Sequence, residues 1–289
     1  MTAEETDATP SWMRIPADAD PDSSGARIDV SVAHPARRYD YWLGGKDNFP
    51  ADRASGDQIA AAFPTIRLAV IENRAFLRRA VTYLAREAGI RQFLDIGTGI
   101  PTANNTHQVA QSIAPTSRIV YVDNDPIVLV HARALLTSSD EGATAYIDAD
   151  LRDPDKILQA PELTATLDLS QPVGLMLVAV MHFILDEDNP YDLVGQLVSA
   201  MPSGSYLTVT QATNDYLPPE KIKEINAVGQ RTRVPARMRS KEEFARFFDG
   251  LEFVEPGIVS VADWRAENEP QPRPTAAEVS GYGAVARIP

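Results

Sequence analysis

Five short apolar runs that alternate with helix-length segments constrain the fold of this chain most strongly. The runs occupy residues 91–97, 118–124, 143–150, 173–180 and 205–212. The segments between them, which we predict to be helical, are 103–113, 126–137, 154–159 and 189–200. Strands and helices that alternate at this spacing are typical of a parallel sheet with helices on both faces.

Two further β segments follow this alternating part and complete a predicted seven-stranded sheet. They are LEFVEPGIVSV and YGAVARI, and we expect them to close one edge of the sheet. The sequence therefore predicts an α/β fold with a mostly parallel sheet. We assign its core to residues 91–289.

The N-terminal part of the chain has a different character. Residues 1–27 are rich in Asp, Ser, Pro and Ala and are predicted to form a mobile tail. The apolar residues of 65–87 recur on one helical face, and Gly89 suits the end of that helix. We expect residues 28–90 to form a helical cap or lid.

Charge and composition exclude several classes of protein. The formal net charge is −13 and there is no cysteine. A nucleic-acid binder needs a cationic surface to displace counterions, so we expect no nucleic-acid partner. Disulfides and thiolate metal sites are excluded. No apolar run reaches about 18 residues and no signal pattern is present, so we expect a cytoplasmic protein without a membrane partner.

The segment FLDIGTGIPT, at 93–102, carries the first candidate site. Gly97, Thr98 and Gly99 follow the strand that contains Asp95, and glycines here allow a tight turn and close approach of a ligand. A carboxylate at Asp95 is badly placed beside a diphosphate but suits a cationic amine. The alternative is a plain strand-to-helix turn without a ligand.

Acidic residues also end the next two strands. Asp123 can accept both ribose hydroxyls of a nucleoside, with Asn124 beside it. Alternatively these residues, with Asp125, are an N-cap cluster for the following helix. Asp150 can accept a hydrogen bond from an adenine amine and the Leu151 amide can serve the ring, or Asp150 is a turn residue.

These strand-end motifs resemble those of class I S-adenosylmethionine-dependent methyltransferases. The run D-I-G-T-G at 95–99 resembles the first motif of that fold, Asp123 its ribose-binding acid and Asp150 its adenine-side acid. Pro101 stands where a third glycine is common. The resemblance implies a Rossmann-like class I fold with S-adenosyl-L-methionine as cofactor and S-adenosyl-L-homocysteine as product.

A more specific resemblance lies near the N-terminus. HPARRYDYWLGGKDNFPADR at 34–53, with ENRAFLRRAV at 72–81, resembles a bacterial S-adenosyl methyltransferase family long described as a domain of unknown function. The likeness covers nearly all of residues 30–289. It implies the fold and the methyl donor and leaves the acceptor open.

Further residues are candidates for the cofactor site and the chemistry. His182 follows the fourth strand by two residues, beside Val180, where a neutral imidazole can take a proton from the acceptor. Alternatively His182 packs against the cofactor or donates a hydrogen bond to a backbone carbonyl. Asn73 and Arg74 can reach the methionine carboxylate of the donor, or they lie on a solvated helix face.

The segment 37–53 is a candidate lid over the substrate. Its aromatic residues can cover a sulfonium or a flat acceptor, and its adjacent glycines allow a hinge. Alternatively the aromatics dock the N-terminal segment onto the core. The candidate lid residues are Tyr39, Asp40, Tyr41, Gly44, Gly45, Lys46, Asn48 and Phe49.

The remaining histidines and acids are expected to be unremarkable in role. His107 and His131 are predicted to be solvated on surface helices, and residues 186–188 to form a solvated acidic run. No His, Asp and Glu set has metal-ligand spacing. We therefore predict a methyltransferase for the oxygen or nitrogen of a small molecule. The alternatives are a non-catalytic regulatory protein that binds the donor or its product, and an NAD(P)-dependent oxidoreductase.

Overall fold

A computed structural model describes residues 29–135 and 138–289 of the protein. The predicted tail at 1–27 lies outside these residues, and so do positions 136 and 137 at the end of one predicted helix.

Eight strands form one mixed sheet in the described part of the chain. They are β1 (Gln92–Ile96), β2 (Arg118–Asp123), β3 (Ala143–Asp148), β4 (Gly174–Leu177), β5 (Tyr206–Ala212), β6 (Glu252–Phe253), β7 (Val259–Ser260) and β8 (Gly281–Arg287). The sheet order is β3-β2-β1-β4-β5-β8-β6, and β7 pairs with β8. Strands β1 to β5 are parallel, whereas β8 runs antiparallel to β5, β6 and β7.

Helices precede the sheet and connect its strands. They are α1 (Pro35–Trp42), α2 (Pro50–Ala62), α3 (Ile66–Arg86), α4 (Thr106–Ile113), α5 (Pro126–Leu135), α6 (Pro154–Leu158), α7 (Pro161–Thr166), α8 (Pro190–Ser199), α9 (Pro219–Arg231), α10 (Lys241–Ala245) and α11 (Ala276–Val279). Short 3₁₀ turns occupy Met181–Phe183, Asp186–Asp188 and Arg246–Phe248. None of the helices within the described ranges is long and apolar enough to cross a membrane.

The predicted α/β fold with a mostly parallel sheet is confirmed. Strand residues alternate between two buried clusters, one on each face of the sheet: Leu94 and Val120 belong to one, and Phe93 and Tyr121 to the other. Helix α3 covers the second face. Burial on both faces explains why the parallel strands are nearly continuous apolar runs.

Two boundaries differ from the sequence prediction. The segment LEFVEPGIVSV forms two short strands rather than one, because a turn with Gly257 at φ 76° interrupts it. The sheet therefore has eight strands instead of the seven expected. Helix α4 begins at Thr106 rather than near residue 103, because Asn105 is its N-cap: the Asn105 backbone amide donates to Gln108 Oε1, in the first turn, at 2.9 Å.

One buried ion pair attaches α1 to the core. Nε and Nη2 of Arg37 each donate to Asp125 at 2.9 Å, and both side chains are buried. Asp125 also accepts from Ile127 N at the start of α5. The contact fixes α1 beside the carboxyl ends of the central strands.

Candidate functional site

A cleft of about 350 Å³ lies at the carboxyl ends of the central strands. This is where open α/β sheets bind ligands, because the connections diverge there. All the residues predicted to bind the cofactor line this cleft. They are Asn73, Arg74, Asp95, Gly97, Thr98, Gly99, Asp123, Asn124, Asp150, Leu151 and Val180.

The turn after β1 depends on glycine at two positions. Gly97 and Gly99 have φ of 75° and 69°, in the left-handed region that disfavours side chains. A Cβ on Gly97 would lie 2.5 Å from Val180 Cγ2, so no larger residue fits there. The Gly99 amide donates to Asp123 Oδ2 at 2.7 Å, which joins the turn to the end of β2.

Asp95 is a buried carboxylate at the floor of the cleft. It is 5% exposed and accepts a hydrogen bond at Oδ2 from Thr106 Oγ1 at 2.6 Å. Burial raises the pKa of Asp95 to about 6, although the Thr106 hydroxyl and the charge of Arg74 act against this shift. A cationic ligand group beside Asp95 would compensate the cost of burying this carboxylate.

The other two strand-end acids line the cleft at different depths. Asp123 is buried and accepts from the backbone amides of Gly99 and Asp125, and burial raises its pKa. Asp150 lies at the partly exposed rim, where it accepts from Asn124 Nδ2 at 2.6 Å and from Arg152 N at 2.8 Å. Each carboxylate still has lone pairs for a ligand.

Helix α3 supplies a polar end to the cleft. Arg74 Nη2 donates to the carbonyl oxygens of Ala103 and Asn104 at 3.0 and 3.1 Å. Asn73 Nδ2 donates to Tyr39 Oη at 2.9 Å, and this hydroxyl donates to Val70 O at 3.0 Å. The two α3 residues therefore face the cleft and are not on a solvated helix face.

Comparison with known proteins identifies the family. A model of a family described as S-adenosyl methyltransferase matches residues 21–289. The chain belongs to this family. S-adenosyl-L-methionine is therefore the cofactor, and the buried Asp95 and the glycine turn fit a nucleoside with a cationic amino-acid chain. Among curated proteins, none matches this sequence.

Two solved structures of high similarity agree with the family. A DUF574 family protein from Streptomyces avermitilis has 48% identity and a TM-score of 0.86, over 91% of this chain and 100% of that one. A candidate methyltransferase from Thermobifida fusca YX has 41% identity and a TM-score of 0.82, over 90% and 97% of the two chains. The Rossmann-like class I fold inferred from the strand-end motifs is thus confirmed.

A second cavity, of about 170 Å³, lies behind the donor cleft of this methyltransferase. Its wall is mainly apolar, with residues from α1, α2, α3 and α9 and from strands β5 and β8. The two cavities share a wall, which consists of Pro35, Tyr39, Asn73, Ala179, Phe183 and Val234. A molecule in the second cavity would therefore lie next to a donor in the cleft.

His182 lines the second cavity rather than the donor cleft. It lies in the 3₁₀ turn after β4, and its Nδ1 is buried with no hydrogen-bond partner in residues 29–135 and 138–289. Burial first, and then the charges of Arg38 and Arg239, lower the pKa of His182 to about 3. The imidazole is therefore neutral at physiological pH.

Only part of the predicted lid lines either cavity. Tyr39 lines both, and Asp40 lines the donor cleft. Tyr41 lies on the outer side, where its hydroxyl donates to Asp57 at 2.7 Å, and Lys46 is exposed. Phe49 packs below the Arg37 guanidinium instead of over the cleft.

The glycine pair of the lid belongs to a loop that is bound to Asp40. Asp40 accepts from Asp47 N at 3.0 Å and from Asn48 Nδ2 at 2.8 Å. Gly44 has φ of 81°, and a Cβ on Gly45 would lie 1.9 Å from Asp40 Oδ1. The glycines therefore permit a compact turn against this carboxylate, and the predicted hinge has no direct support in these contacts.

Several residues outside the predicted set also shape the site. Arg239 is fully buried and donates to the carbonyl oxygens of Met181 and Ile184, on both sides of His182. It also pairs with Asp186, so the acidic run is not simply solvated. Nothing in the sequence indicated that Arg239 holds the turn around His182, because the carbonyl groups that it contacts are distant in the chain.

Two expectations about histidines need correction or refinement. His107 was expected to be solvated, but it is buried, with its backbone N and its Nδ1 each 2.8 Å from Tyr121 Oη. The face of α4 that carries it packs on the sheet. His131 is partly buried, with Nε2 at 3.5 Å from Asp47 Oδ1. In the described ranges no cluster of His, Asp and Glu is suited to a metal ion.

Proposed function

We propose that the protein transfers a methyl group from S-adenosyl-L-methionine to a hydroxyl or amine of a small molecule. The observation that carries this proposal is the second cavity, which shares a wall with the donor cleft and has a volume of about 170 Å³. This space admits a small molecule. The net charge of −13 also disfavours a nucleic-acid acceptor.

The donor's orientation follows from the chemistry of the cleft. We assign Asp123 to the ribose hydroxyls, and Asp150 with the Leu151 amide to the adenine. Asp95 then faces the donor's ammonium group, and Arg74 its carboxylate. This orientation directs the sulfonium toward the shared wall, at the end of β4.

Methyl transfer requires little covalent help from the protein. The bound donor supplies an activated methyl group, and the chain aligns the acceptor and excludes water. The acceptor oxygen or nitrogen gives the electron pair of its new bond to carbon, and the donor sulfur keeps the pair of the broken S–C bond. We assign the acceptor's proton to His182, whose neutral imidazole lines the acceptor cavity.

Residues 28–90 are proposed to act as a cap, because α1 and α2 contribute to the walls of the second cavity. The cap would exclude water from the reacting groups. An NAD(P)-dependent oxidoreductase is disfavoured, since the family is that of S-adenosyl methyltransferases. The cytoplasmic location expected from the sequence stays a prediction.

Calorimetric titration with S-adenosyl-L-methionine, S-adenosyl-L-homocysteine and NAD tests the donor assignment. We expect the first two to bind and NAD not to bind. Donor consumption with a library of small hydroxyl and amine compounds then tests for an enzyme. Binding without turnover of any compound would instead favour the regulatory protein.

Replacement of His182 tests its assignment as the base. His182→Gln should reduce turnover at least 100-fold, the scale of general-base catalysis, while donor affinity stays within about twofold. His131→Gln is the matched control, because His131 lines neither cavity. Equal turnover in the His182 variant and the wild type would refute the assignment.

A further inference from the structure

Arg38 is a buried cation in the wall of the second cavity. It is 3% exposed, and its side chain donates from Nη1 to Ser55 Oγ at 3.2 Å. Its Nε is buried and has no partner in the part of the chain that the structure describes. Among the described residues, Arg38 forms no ion pair.

The candidate counter-charge for Arg38 within the protein is Asp52, whose carboxylate already accepts hydrogen bonds from backbone amides. Asp52 acts on Arg38 through its charge, but its two oxygens accept the amides of His34 and Phe49 at 2.8 Å each. Burial lowers the pKa of Arg38 to about 10, so the guanidinium remains charged at neutral pH. Burying a charge is costly, and the Asp52 charge and the rings of Trp42 and Phe183, whose centroids lie 5.6 and 6.0 Å from the guanidinium carbon, offset this cost only in part.

The surroundings of Arg38 limit what this partner can be. The cavity is mainly apolar, and Trp42, Phe63, Val70 and Met238 are among its lining residues. An apolar cavity of about 150 Å³ holds one benzene molecule, so one of about 170 Å³ holds a single ring or a short chain. The ligand that satisfies both features is small and apolar, with one anionic group.

We propose that the second cavity binds a small, mainly apolar carboxylic acid whose carboxylate pairs with Arg38, and that the methyl acceptor belongs to this class. A carboxylate matches the planar guanidinium and can accept from its Nη2, which, unlike Nε, is not fully buried and which has no hydrogen bond within the described part of the chain. The acceptor's hydroxyl or amine then lies on the same molecule, within a cavity that also contains His182. This inference rests on the proposed function.

A carboxylate bound to Arg38 would also affect the pKa of His182. The positive charge of Arg38 contributes to the low pKa of His182. A carboxylate on Arg38 would offset that charge and make the imidazole a better proton acceptor. The arrangement therefore favours proton transfer when an acid is bound, which is consistent with one site serving both recognition and chemistry.

Two matched ligands test the inference: 4-hydroxybenzoate, and 4-hydroxybenzamide, which has similar shape without the charge. Both are titrated calorimetrically into the full chain, with and without S-adenosyl-L-homocysteine. We expect the acid to bind at least tenfold more tightly than the amide. In Arg38→Met the affinities should become equal through weaker binding of the acid, whereas Arg67→Met, at an exposed arginine stacked on Tyr41, should keep the difference.

A merely structural Arg38 predicts a different outcome. Its removal would then lower the unfolding temperature and leave the preference for the acid unchanged. Equal binding of acid and amide to the wild type, or binding of neither, overturns the inference without any variant. A titration with S-adenosyl-L-homocysteine alone separates the two proposals. If this compound binds and the acid is not preferred over the amide, only the further inference is rejected. If S-adenosyl-L-homocysteine does not bind, the proposed function is rejected.

Discussion

Asp95 combines deep burial with a pKa near 6 because, among the described residues, no ion pair offsets its loss of hydration. Its neighbours act in both directions: the Thr106 hydroxyl and the charge of Arg74 lower the pKa, and Asp123 raises it. A carboxylate in this state binds a cation best when it has lost its proton. Donor binding should therefore depend on pH.

The affinity for S-adenosyl-L-homocysteine should fall by about tenfold between pH 7 and pH 5. The affinity falls toward low pH because Asp95 of the free protein takes up a proton below about pH 6, and the ligand's ammonium group must displace this proton. Calorimetry of the wild type and of Asp95→Asn measures this. The variant should bind more weakly and without the pH dependence. If the affinity of the wild type does not change between pH 7 and pH 5, the role of Asp95 is contradicted.

At the residue scale, the sequence was sufficient to predict which side chains at the ends of the central strands line the cleft. Asp95 and Asp123 could be placed because parallel strands bring their carboxyl ends to one edge. Arg38 and Arg239 could not, because their importance comes from burial and from partners distant in the chain. His182 was predicted to lie near the pocket, but its exclusion from the donor cleft required the structure.

The elements with the weakest sequence signal are those of the cap. Helix α1 has eight residues, which is too short for stable formation alone. Its attachment depends on the Arg37–Asp125 pair, where hydrogen bonds from His34 and Arg37 lower the pKa of Asp125 against the effect of burial. The long helix α3 was predicted within one residue at each end, because its apolar period is clear.

Breaking the Arg37–Asp125 pair should destabilise the protein. A buried carboxylate without any partner typically costs about 3–5 kcal/mol in the free energy of unfolding. Arg37→Leu leaves Asp125 only the His34 ring, with Nδ1 at 3.1 Å from Oδ2, so we expect a loss of stability up to this range. The double variant Arg37→Leu/Asp125→Ser, which keeps a capping side chain on α5, should recover part of this loss. Urea unfolding measures both; the same stability in Arg37→Leu and the wild type would show that the pair does not hold α1.

At the scale of the whole molecule, the alternation of apolar runs and helices predicted the sheet and the place of the cleft. It did not predict the second cavity, because that cavity's walls come from α1, α2, α3, α9, β5 and β8, which are far apart in sequence. The order of the strands and the turns at their carboxyl ends determine where the donor can bind. The helices of the cap, together with α9 and strands β5 and β8, determine the space for an acceptor.

A crystal structure with S-adenosyl-L-homocysteine tests the central claim most directly. The account predicts ribose hydroxyls on Asp123, the adenine beside Asp150 and the ammonium group near Asp95, with the sulfur directed toward the wall shared by the two cavities. A nucleoside bound away from these three carboxylates, or a sulfur directed away from that wall, would contradict it.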